Sequence, residues 1–62
     1  MIVQTTTTWA VEVLEAGRTW GEWDTYLSEY HARHSLVNCR KDWPHKEWRL
    51  VKVTKIREAF DV

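Results

Sequence analysis

His31, His34, Cys39 and His45 are residue types that bind zinc, so a metal centre is the first chemistry to weigh. On a helix, His31 and His34 project about 60° apart, whereas Cys39 lies roughly 80–140° from either. Three ligands from that helix do not converge on one ion. The expectation is no metal and no cofactor, with the histidines facing solvent. Cys39 beside His34 or His45 would be a nucleophile with its base. A reactive cysteine needs an exposed, electropositive position, but Cys39 shares an apolar helical stripe with Ala32 and Leu36. Acid–base work by Glu12, Glu15, Glu22 and Asp24 would need a concave pocket to shift their ionisation. A sheet this small leaves scant room for one. The chain is not expected to be an enzyme.

Binding is the chemistry in which this sequence is rich. Trp9, Trp20, Trp23, Trp43 and Trp48 place five indoles in 62 residues, and each can bury roughly 150–250 Å². Trp9, Trp20, Trp23 and Trp48 could fill a core short of aliphatic volume. On strands, however, successive side chains alternate between faces, so they cannot all lie under one helix. The remainder is expected as a partner-binding patch centred on Trp20, Trp23 and Trp48 and extended by Tyr26, Tyr30 and Arg49. Trp, Tyr and Arg are the side chains most often found as binding hot spots.

The same rings could stack on unpaired bases beside Arg49, Lys52, Lys55 and Arg57. Nine Lys and Arg are balanced by nine Asp and Glu, and phosphate binding needs positive excess. Glu12, Glu15 and Glu22 also fall on the neighbouring strands. The basic run is read first as a solvated edge that discourages strand pairing.

The elements that must position these residues follow from period and punctuation. Thr5 to Glu15 alternates as a strand rich in β-branched residues. Ala16-Gly17-Arg18 signals a turn, and Thr19 to Trp23 is a return strand in which Gly21 suggests a bulge or a close backbone. A helix starts between Asp24 and Ser28. With Ser28 as cap, Leu27 and Ala32 have the spacing of a hydrophobic staple. The helix runs to about Lys41, and Pro44 stops it.

The helix carries two apolar stripes, Ala32-Leu36-Cys39 and Tyr26-Tyr30-Val37, which predicts two neighbours. Glu47 to Ile56 is the third strand, and its alternation slips. Trp48 and Leu50 point one way, Val51 and Val53 the other, so either both faces are covered or a bulge re-phases it. Arg57 to Val62 is a tail that extends the strand or turns. The expected fold is α+β: a small β-β-α-β domain, a three-stranded antiparallel sheet with one helix packed on one face. It forms one domain over 1–62 with an ordered core of about 7–57.

Thr19 to Thr54 contains TWGEWDT, a helix ending in DWP, and EWRLVKVT. This resembles a group of small bacteriophage and prophage proteins built on strand, W-G-x-[aromatic]-[DS], helix, D-x-P and [aromatic]-R-[LIV]-V-[KR]-V-T. Trp20, Gly21, Trp23, Asp24, Asp42, Pro44, Trp48, Arg49, Leu50, Val51, Val53 and Thr54 carry the likeness. Tyr26, Tyr30, His31 and His34 depart from the group's alanine- and glutamate-rich helix. The resemblance implies a protein that binds and modulates, by inhibition, a host protein in the cytoplasm of a bacterial cell. It implies no catalytic residues.

The single cysteine allows no internal disulfide and favours a reducing compartment. Met1-Ile2-Val3 leads into four threonines, so no signal peptide is expected, and no apolar run approaches a membrane span. A single-strand nucleic-acid module and a self-associating homodimer are the alternatives to host-protein binding.

Overall fold

The computed structural model describes residues 2–60, as strand β1 (Ile2–Leu14), strand β2 (Trp20–Tyr26), helix α1 (Glu29–Asp42) and strand β3 (Trp48–Ala59). The three strands are antiparallel in the order β2-β1-β3. One helix lies on one face of this open sheet, so the chain is a small α+β domain.

The hairpin joining β1 to β2 turns through Ala16, Gly17 and Arg18. The Arg18 amide donates to the Glu15 carbonyl at 2.8 Å, and the Glu15 amide to the Thr19 carbonyl at 2.9 Å. Arg18, not Gly17, takes the left-handed backbone, with φ 58. The helix ends as the DWP motif predicts: Trp43 leaves helical geometry, and a turn from Trp43 to Lys46 has Pro44 at the position its fixed φ suits.

The core lies between α1 and one sheet face. Val11, Val13 and Trp48 from the strands meet Leu36 and Cys39 from the helix, with Tyr26 and Leu50 at the margin. Ala32 is also buried, which accounts for the whole expected inner stripe. Burying a valine or leucine contributes roughly 1.5–3 kcal/mol. The outer helix residues Tyr30 and Val37 are exposed, so this stripe has no second neighbour among the described residues.

Several local expectations are corrected. The first strand, expected from Thr5, begins at Ile2, because Ile2 to Val13 pairs continuously with Ala59 to Trp48. Both long strands therefore pass the expected core limits of 7 and 57. The tail from Arg57 extends β3 to Ala59, and Asp61 and Val62 lie outside the described residues. β3 contains no re-phasing bulge: its register with β1 is unbroken. Trp48 and Leu50 thus face the helix, while Val51 and Val53 line the other face, which no described element covers.

The register shift occurs instead between β1 and β2, where Val11 pairs with Asp24 but Glu12 with Glu22, leaving Trp23 as the extra residue. The nearest neighbour of Gly21 is the Glu15 side chain, which occupies the space beside it. β2 continues to Tyr26, so Asp24 and Thr25 are strand residues. Ser28 holds the cap position without a side-chain hydrogen bond. Leu27 is 83% exposed and makes no staple.

Element lengths leave the sheet only partly covered. Fourteen helical residues span about 21 Å, whereas the thirteen of β1 span about 43 Å. The Cα extents of 52 × 28 × 11 Å describe the result, a thin plate with a two-stranded ribbon projecting past the helix.

Candidate functional site

The bulge places a cluster of three tryptophans. An extra residue in β2 turns Trp23 toward the helix side, where its ring meets Trp48 edge-on at 5.3 Å and Trp43 at 5.2 Å. Trp43 and Trp48 are 6.1 Å apart. Trp48 is only 6% exposed and belongs to the core, whereas Trp23 and Trp43 are 49% and 37% exposed. The Trp48 indole Nε1 donates to the Trp43 carbonyl at 3.1 Å. A buried ring and its hydrogen bond therefore hold two outer rings at the C-terminal end of α1.

Trp20 lies elsewhere. It pairs with Leu14 on the face away from the helix, and the Arg49 guanidinium covers its ring at 4.2 Å. Arg49 also bonds the Glu12 carboxylate at 2.7 Å. This ion pair offsets the placement of Glu12 directly opposite Glu22, a like-charge juxtaposition that would otherwise weaken the ladder. Tyr26 is half-buried, and its hydroxyl donates to Asp24 at 3.1 Å. Tyr30 is exposed on the helix, edge-on to His31.

The expected single patch is thus divided. Trp23 and Trp48 come together, with Trp48 as support and not surface. Trp20 and Arg49 occupy the opposite sheet face, and Tyr30 stands apart on the outer helix. The residue absent from the expected patch is Trp43. Its signal was the D-W-P sequence, since a residue before proline is pushed out of helical backbone, and there its ring meets Trp23 and Trp48.

The basic residues of β3 divide as well. Alternation puts Arg49, Lys55 and Arg57 on the open face and Lys52 on the helix side, where its ammonium lies 5.6 Å from the Trp9 ring. At the sheet end, Trp20, Arg40, Pro44, Lys46, Glu47 and Trp48 line an open cleft of about 510 Å³.

Cys39 is buried among Leu36, Val11 and Trp48, and burial pushes its thiol above the ordinary 9.0, with the Asp42 and Asp24 charges adding to the rise and Ser35 opposing it. It is a packed side chain in this fold. Among the described residues, no three His, Cys, Asp or Glu side chains gather where they could hold a metal ion, and no helix is long and apolar enough to cross a membrane. Comparison of the chain with protein-family models, with curated proteins and with solved structures finds no match.

Proposed function

We propose that this protein is a binding module that engages another protein through the Trp23–Trp43 pair. The observation that carries the reading is the pair's support. Two half-open indoles, fixed on a buried third, give large contact area with little entropy left to lose on binding. The likeness of TWGEWDT, DWP and EWRLVKVT to small phage proteins favours a bacterial host protein as the partner and modulation of that protein as the outcome. The bacterial cytoplasm is the compartment this reading requires.

The test is capture from bacterial lysate on immobilised wild-type chain, Trp23→Ala, Trp43→Ala and Tyr30→Ala. A protein retained by wild type and Tyr30→Ala, and lost from both tryptophan variants, is the expected result. Capture indifferent to both tryptophans would sink the reading. Circular dichroism of each variant separates lost binding from lost folding.

A single-stranded nucleic-acid partner has one observation in its favour, the common face of Trp20, Arg49, Lys55 and Arg57. It ranks second because Arg49 already covers Trp20 and is neutralised by Glu12.

A further inference from the structure

A sheet with three strands has two outer edges, and here the shortness of β2 opens a third. β2 pairs with β1 only from Trp9 to Leu14. Along the same flank, Ile2 to Thr8 has no partner strand among the described residues. Three exposed stretches of edge therefore exist, and two carry the features that deter pairing. β3 bears Arg49, Lys52, Lys55, Arg57 and Glu58, and β2 bears Glu22, Asp24 and the bulge at Trp23. The third stretch reads IVQTTTT. It has no charge, no proline and no bulge.

Backbone direction along this vacant lane follows from two bonds. The Leu14 amide donates to the Glu47 carbonyl, on the β3 side, and the Glu15 amide to the Thr19 carbonyl, on the β2 side. Peptide groups alternate along a strand. Even-numbered residues of β1 thus direct their N–H and C=O toward β3, and odd-numbered ones toward β2. Beyond the end of β2, Val3, Thr5 and Thr7 point theirs into the empty lane.

We propose that a second copy of this chain fills that lane, its own Ile2–Thr8 segment running antiparallel about a two-fold axis at Thr5. The segment and the vacancy have the same length, so each copy completes the other and the contact closes. Thr5 faces Thr5 of the partner, and Val3 faces Thr7 in both directions. All three positions are hydrogen-bonded pairs of an antiparallel ladder, so every outward N–H and C=O of these residues is satisfied. Threonines directly opposite one another are favourable sheet neighbours. A strand from an unrelated protein would fill the lane but present its own outer edge in turn.

Two further features fit this occupant. Projecting two-stranded ribbons are marginal alone, and the pairing turns two of them into a four-stranded sheet, β3-β1-β1-β3. The basic rows on the two β3 strands then stand about 14 Å apart, three strand spacings, beyond the screening length at physiological salt. At the far end of each lane, Ile2 arrives beside the end of β2, where Leu27 projects almost fully into solvent. The proposal is independent of the Trp23–Trp43 reading, since those rings lie at the opposite end of β1.

Sedimentation equilibrium and amide exchange of the purified chain test it together. The expected mass rises with concentration from 7.5 kDa to twice that value. Amides of Val3, Thr5 and Thr7 become protected as the mass doubles, while those of Gln4, Thr6 and Thr8 are protected at every concentration. Thr5→Pro removes one outward N–H that β3 does not use, and Thr5→Lys sets two ammonium groups face to face across the axis. Each raises the dissociation constant at least tenfold with the circular dichroism spectrum retained. A constant 7.5 kDa mass to millimolar concentration overturns the proposal. So does a dimer that Thr5→Lys leaves intact, or one whose odd-numbered amides stay exposed.

Discussion

Arg18 occupies the left-handed region, which costs a residue with a Cβ about 1–2 kcal/mol. Glycine enters it freely but loses roughly 0.5–1 kcal/mol of chain entropy. Arg18→Gly is expected to stabilise the domain by about 0.5 kcal/mol on that difference, read as a rise of a few degrees in the melting midpoint. Cys39 provides a second prediction. Its folded thiol ionises above 9.0 because it is buried, and the unfolded thiol near that value. Its contribution to stability is therefore complete below pH 9.0 and is lost as pH rises toward the folded value. Urea midpoints from pH 8 to 10 should fall more steeply for wild type than for Cys39→Ala. Parallel curves would show that the thiol ionises equally in both states. Trp48 and Trp23 touch, yet they differ in kind. Trp48→Ala empties the core at a cost of about 3–5 kcal/mol, comparable to the roughly 3–9 kcal/mol total stability of a 62-residue domain. Trp23→Ala removes a half-exposed ring and should cost about 1 kcal/mol. Chemical denaturation of both variants compares them directly.

At the scale of elements, the legible features were those set by neighbours in sequence. Alternation marked the first strand, the turn signal at Ala16-Gly17-Arg18 marked its return, Pro44 marked the end of the helix, and the spacing of Ala32, Leu36 and Cys39 marked its buried stripe. Strand ends were not legible. The first strand was read from Thr5, and only the pairing of Ile2, Val3 and Gln4 with Ala59, Glu58 and Arg57 carries it to Ile2. The bulge was expected at Gly21 or within β3 because glycine and broken alternation are the usual local signs. It formed at Trp23, where the ring gains contact with two other indoles. Glu29 and Arg33, four residues apart, meet at 2.8 Å on the helix surface. Such exposed pairs add only about 0.3–0.5 kcal/mol, so Arg33→Ala should leave the thermal midpoint within a few degrees of wild type.

Over the whole molecule, the tryptophans divide between the two faces of the sheet. A protein partner at Trp23 and Trp43 leaves the threonine edge free for self-pairing, so both associations can occur on one molecule. Tryptophan fluorescence titrated with an unstructured oligonucleotide at low salt should change little, because the open-face ring is covered by Arg49. Steep, salt-sensitive quenching would instead favour the nucleic-acid reading. The kinds of element, their order and the inner helix stripe were determined by sequence alone, because each depends on residues within a few positions of one another. Which indole is buried, where Trp43 stands and which stretch of edge lacks a strand were decided only in the tertiary structure. Those outcomes depend on register between segments up to 57 residues apart, as in the pairing of Ile2 with Ala59. A one-residue shift there exchanges the two faces, and no local pattern encodes it.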